Sequence, residues 1–307
     1  MSDRQVTIVE VGPRDGLQNE KTPVSTAFKV ELIQRLEACG FREVEVTSMV
    51  HPKWVPQLAD AAEVLQALQT VPTRADRTVL VPNLKGLERA LQAGARRVAV
   101  FVAASESFSQ RNTNRSVEDG MGEAARVVQA ARQAGASVRG YLSTAFVCPF
   151  EGAMDPGPVA GLTRRLLDAG CDQVSLGDTI GAAVPEDIDA LLEQLGADLV
   201  PRLALHLHDT YGTALANVTR GLERGVRVFD SSVGGAGGCP YAPGASGNLA
   251  TEDLLYLLDK GGWQHGIDRE QVLSAARFLE SGLGRQLHSH LLGVHRQHDS
   301  APSPDAA

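Results

Sequence analysis

Two histidines separated by one residue, His206 and His208, stand on and just past the apolar run Leu203–Leu207. Side chains two apart on a strand point to the same face, so both imidazoles look into one space. Convergent imidazoles call for a third party, and a divalent cation is the natural one, with Asp15 and Asn248 supplying oxygen ligands. Two nitrogens and two oxygens suit Mg2+ or Mn2+ better than a thiolate zinc site. They also leave about two positions of an octahedral shell open for substrate or water.

Groups fit for acid–base and electrostatic work surround this quartet. Arg14, beside Asp15, reads either as half of a charge pair at a turn or, in a metal pocket, as an always-charged fork for a developing enolate oxygen. Glu45 lies within a strand-like run; facing inward, it would orient Arg14 or a water at the ion. Asp178 reads as a helix N-cap or as a base near a substrate hydroxyl. Cys239 sits among glycines at 234, 235, 237, 238, 244 and 247, in a loop able to close and exclude water. A thiol there can carry a proton if nearby positive charge lowers its pKa. The loop lacks GxxxxGK[ST] and is no phosphate-binding loop. Cys39 and Cys171 fall at helix–strand junctions and read as small core residues, and Cys148 as a packing residue after the fifth run. His288, His290, His295 and His298 have no carboxylate or thiol framework, so a second metal cluster is rejected.

The elements that must position these groups are short and regular. Strand-like runs occur at Val6–Val11, Val44–Thr47, Thr78–Val81, Val98–Val102, Val138–Ser143, Gln173–Leu176, Leu203–Leu207 and Val228–Ser231. Amphipathic stretches alternate with them, and Gly40, Gly94, Gly135 and Gly170 mark helix ends just before the next run. Eight strands in a βα rhythm predict a (β/α)8 barrel as one domain over 1–283, with all strand C-termini on one face. No GxGxxG follows the first run, which disfavours a doubly wound sheet. A last helix is expected at Arg269–Leu283, then a C-terminal extension over 284–307 whose polar end, Asp299–Ala307, is expected to be disordered.

Composition narrows the class. With 307 residues and 43% hydrophobic content, the chain can bury a large core. A net charge of −8 argues against nucleic acid or an anionic membrane as partner. Four cysteines without a CxxC pair suggest reduced thiols. No apolar run approaches the ~20 residues of a membrane span. The N-terminus has no secretory or transit character, so a cytoplasmic protein is expected.

Several segments together resemble hydroxymethylglutaryl-CoA lyases. They are Val11–Glu20, Glu45-Val46-Thr47-Ser48, Pro52–Gln57, Ser175–Gly181, the run from His206 through Gly212, and the stretch from Ser231 through Asp253 that holds Cys239. The likeness spans about residues 5 to 280. Its cysteine-bearing loop is specific to the lyases, whereas the Arg-Asp-Gly and His-x-His elements are shared with isopropylmalate and homocitrate synthases. Met49-Val50-His51 and Pro243 depart from the pattern and leave the acyl-tail preference open. The resemblance implies a TIM barrel with metal ligands Asp15, His206, His208 and Asn248, and catalytic roles for Arg14, Glu45, Asp178, His206 and Cys239. It implies an acyl-CoA substrate, a homodimer, and cleavage of 3-hydroxy-3-methylglutaryl-CoA as in leucine breakdown. A lyase for a related 3-hydroxy-3-alkylglutaryl-CoA and a condensing acyltransferase are the alternatives.

Overall fold

Each of the eight apolar runs forms one strand in the computed structural model, which describes residues 4–238 and 247–300, the last four without side chains. The strands are β1 (Thr7–Glu10), β2 (Glu43–Ser48), β3 (Asp76–Leu80), β4 (Arg97–Ala103), β5 (Ser137–Ser143), β6 (Gln173–Asp178), β7 (Leu203–Leu207) and β8 (Val228–Ser231). All pair in parallel in chain order, and β8 returns to β1 to close the barrel. Central positions such as Val9, Val44, Val79, Val98 and Leu176 are buried, as strands covered by helices on the outside require.

The helices form where caps and spacing dictate. In α1 (Thr26–Ala38) the Ser25 hydroxyl accepts from the Phe28 N–H at 3.2 Å, while Leu32, Ile33 and Leu36 turn to the core. Gly40 then reverses the chain at φ +103°, and a Cβ there would stand 2.5 Å from the Gly266 carbonyl oxygen. The remaining layer comprises α2 (Ala61–Gln69), α3 (Leu84–Gln92), α4 (Glu106–Thr113), α5 (Val117–Gln133), α6 (Pro156–Asp168), α7 (Pro185–Leu195), α8 (Ala214–Glu223) and α9 (Thr251–Lys260). The expected last helix is α10 (Arg269–Leu283), whose Phe278 stacks on Phe28 of α1 with ring centroids 4.4 Å apart. A further helix, α11 (His290–Ser300), follows. It includes 299 and 300 of the polar end; 301–307 lie outside the described residues. No described helix is long and apolar enough to cross a membrane.

The barrel's interior is polar. Arg139 of β5 reaches Asp230 of β8 at 2.6 Å, and Tyr141 of β5 reaches Glu45 of β2 at 3.2 Å. Neither pair of strands is adjacent, so both bonds cross the inside of the barrel. Register sets Asp230 beside His206 and Tyr141 beside Ser175. The cylinder is thus built to hold charge along its axis beneath the face where its strands end.

Candidate active site

Arg14 and Asp15 are presented by a wide turn at the exit of β1. The N–H groups of Arg14, Asp15 and Gly16 all point to the Val11 carbonyl, at 3.1, 2.7 and 3.2 Å. Glu10 secures this turn from below, accepting the Gly12 and Val233 N–H groups and the Thr251 hydroxyl. Across the barrel mouth, Leu249 N donates to Leu207 O and Asp209 N to Gly247 O. These bonds lay Asn248 alongside His208.

The result is a tight cluster. Arg14 Nη1 donates to Asp15 Oδ1 at 2.5 Å, and Nη2 lies 2.7 Å from Glu45 Oε2. Asn248 Nδ2 donates to Asp15 Oδ2 at 2.8 Å and to the Ala236 carbonyl at 3.2 Å, so its Oδ1 is the atom left for a cation. The Nε2 atoms of His206 and His208 stand 3.7 and 4.0 Å from Asp15 Oδ2. These separations exceed a hydrogen bond. They fall within the ~4.2 Å that two ligands of one ion span when each metal–ligand bond is ~2.1 Å. Among the described residues, Asp15, His206 and His208 form the one group of three with ligand atoms close enough to share a metal.

Charge favours the same reading. Burial works to raise the Asp15 carboxyl, but Arg14, His206 and His208 hold it well below the ordinary range, so it is ionised. Burial, with His206 beside it, pushes His208 down to about 4, leaving a neutral imidazole at neutral pH. A metal ligand must be unprotonated, and both groups are. Burial also disfavours the Arg14 cation, yet Glu45 and Asp15 more than compensate and keep it charged.

The cluster opens on a cavity of about 620 Å³ whose walls include Arg14, Asp15, Tyr141, His206 and His208. The sequence-predicted residues Arg14, Asp15, Glu45, His206, His208 and Asn248 therefore come together. Asp178 is placed differently: its two oxygens accept the Ala182 and Ala183 N–H groups at 3.0 and 3.1 Å. Its neighbours Gly177 and Thr179 line the cavity. Cys239 lies outside the described residues; Gly238 before it lines the cavity, with its carbonyl held by Asn19 Nδ2 at 2.7 Å. Cys39, Cys148 and Cys171 are free and buried, and His290 pairs with Asp253 Oδ2 at 3.0 Å. Sequence reasoning passed over Tyr141 in the cavity wall and Arg139, Ser175 and Asp230 buried beneath it. Two signals were present: Arg139 and Tyr141 alternate on one strand face, and Asp230 is a charge inside an apolar run.

A parallel eight-stranded barrel with a carboxylate and two histidines converging at its strand ends defines the class, a TIM barrel with a candidate metal site. The chain belongs to the HMGL-like family, whose model matches residues 5–279. It is 50% identical over 287 residues to the mitochondrial hydroxymethylglutaryl-CoA lyase of Macaca fascicularis, covering 93% of this chain and 88% of that one. Its fold matches the crystal structure of the Bacillus subtilis HMG-CoA lyase with a TM-score of 0.93 at 44% identity, over 95% of this chain and 98% of that one. An HMG-CoA lyase from Acinetobacter baumannii, solved with coenzyme A and 3-methylmalate, matches with a TM-score of 0.90 at 35% identity, over 99% of each chain.

Proposed function

We propose that this protein cleaves 3-hydroxy-3-methylglutaryl-CoA to acetyl-CoA and acetoacetate, using Mg2+ or Mn2+ held by Asp15, His206, His208 and Asn248. The observation that carries the reading is the Arg14–Asp15 pair facing His206 and His208 across one cavity, in a chain half identical to a curated lyase over nearly its whole length. When bound, the ion would supply Lewis-acid polarisation of the substrate's oxygens.

The chain's own groups divide the remaining work. The reaction removes the C3 hydroxyl proton and breaks the C2–C3 bond. The C3–O unit becomes the ketone of acetoacetate, and the bonding pair passes into the enolate of the acetyl thioester. Arg14 faces the cavity as a fixed cation whose charge can stabilise that enolate oxygen. Glu45 fixes the guanidinium from behind. For the hydroxyl proton there are two candidates. His206 lines the cavity, while Asp178 is buried between the lining residues Gly177 and Thr179 with both oxygens on backbone N–H groups. Burial raises that carboxyl to about 6, near the range a general base needs. Cys239 is our choice of acid for returning a proton to C2.

A coenzyme A thioester is supported by the ligand of the Acinetobacter baumannii structure. The condensing alternative is not favoured, since the relatives are named lyases. The reading includes a homodimer, as the family likeness implies, and a reducing cytoplasmic setting, which the free described cysteines support. Incubating purified protein and Mg2+ with hydroxymethylglutaryl-CoA tests it: acetoacetate and acetyl-CoA should appear in equal amounts. Absence of both, with condensation of acetyl-CoA onto a 2-oxo acid instead, would replace the lyase by a synthase.

A further inference from the structure

Behind His206 lies a carboxylate that nothing so far has used. Asp230 Oδ2 stands 3.2 Å from His206 Nδ1, on the side of the ring away from Asp15. The same oxygen accepts the Ser175 hydroxyl at 2.8 Å, and Oδ1 accepts Arg139 Nη2 at 2.6 Å. Both side chains of the Arg139–Asp230 pair are fully buried. A buried guanidinium keeps its charge, so its partner is a carboxylate that only accepts hydrogen bonds. His206 Nδ1 must then carry a proton, which leaves Nε2, facing Asp15, as the ring's only atom for a cation. Among the described residues His208 has no such support, since its Nδ1 bonds nothing.

We infer that Asp230 is a positioning residue that, braced by Arg139 and Ser175, fixes the tautomer and orientation of His206 for metal binding. The inference rests on the metal reading above and deepens it. Arg139 extends the brace, because its Nη1 donates to the Tyr141 hydroxyl at 3.2 Å, which in turn donates to Glu45. Glu45 is the anchor of Arg14. One buried chain of bonds therefore links the group behind the metal ligand to the group behind the cation. A histidine ligand oriented by a carboxylate binds metal more tightly, and losing that partner costs about 10- to 100-fold in affinity.

The test is Asp230→Asn, which keeps the shape but offers one acceptor and one donor where Arg139 and His206 both need an acceptor. Mn2+ affinity is measured calorimetrically without substrate, and the His206 tautomer is read from 15N shifts of histidine-labelled, metal-free protein, assigned through His206→Gln. The expected results are about 10- to 100-fold weaker Mn2+ binding and a mixed tautomer in place of a single Nδ1-protonated ring. Should Asp230→Asn fail to fold, the double variant Asp230→Leu with Arg139→Met removes the buried pair together, which interiors tolerate far better than losing one partner. The same two readouts then apply. Wild-type affinity with an unchanged tautomer in a folded variant would overturn the inference. No Mn2+ binding by the wild-type protein would overturn the metal reading along with it, and so distinguishes the two failures.

Discussion

Replacing Arg14 separates its two jobs, because one side chain serves both a structural pair and the reacting oxygen. Its Nη1 and Nη2 lie 2.5 and 2.7 Å from Asp15 and Glu45, while the side chain also lines the cavity. In Arg14→Gln the cation between the buried Glu45 and the partly buried Asp15 disappears. Breaking such a pair from one side costs about 3–5 kcal/mol of stability. Arg14→Lys keeps the charge, so its melting temperature should stay closer to wild type. A single ammonium cannot reach Asp15, Glu45 and an enolate oxygen together. Both variants should therefore lose about 10²–10³ in kcat, the value of one aligned donor at a developing oxyanion, or about 3–4 kcal/mol of barrier. KM should move much less, since the contact strengthens only as the enolate forms. Steady-state kinetics at saturating Mn2+, with thermal melts of the same samples, read both effects. A Lys variant with wild-type kcat, or a change confined to KM, would refute this account of Arg14.

Three further outcomes are expected. As base, Asp178 must be ionised to accept a proton, and burial raises it to about 6, so kcat/KM should fall below about pH 6 and Asp178→Asn should lower kcat at least ~10²-fold; near-normal turnover in Asp178→Asn would leave His206 as the base. Cys239→Ser should retain Mn2+ affinity while losing most of kcat, because a hydroxyl is a far weaker acid than a thiol; unchanged turnover would remove the thiol from the mechanism. Glu252, buried with Gly234 N–H as the bonded donor to one oxygen, is raised to about 8, chiefly by burial. The folded chain thus binds a proton that the unfolded chain releases above its ordinary value near 4.5. That stability is fully present below about 4.5 and is lost as pH rises through about 8. Denaturant melts should therefore show Glu252→Gln more stable than wild type at pH 8 by ~1 kcal/mol or more, with the gap closing towards pH 5; no pH-dependent gap would contradict it.

The barrel was legible because its signal repeats. Runs such as Leu203–Leu207 and Val228–Ser231 are buried on both faces and bounded by helix-ending glycines, so their ends needed no tertiary information. The residues at the strand ends were legible for a related reason: His206 and His208 announce a shared face by spacing alone. Asp178 shows the limit, since a carboxylate before a helix reads alike as a cap or a base, and only coordinates reveal the Ala182 and Ala183 N–H groups on its oxygens. Arg139 and Asp230 show a deeper one. They lie 91 residues apart and meet across the barrel, between strands that are not neighbours. No local pattern encodes that contact; it follows from closure, which fixes which inward side chains share a level.

If one cation seated among Asp15, His206, His208 and Asn248 drives cleavage, activity must follow its binding. The decisive experiment titrates Mn2+ into metal-free protein with saturating hydroxymethylglutaryl-CoA while acetoacetate is followed. Turnover should begin from zero, rise linearly and level off at one ion per chain. The same titration of His208→Ala should give almost no rise. Full activity in the metal-free protein, or a wild-type titration curve from His208→Ala, would contradict the account.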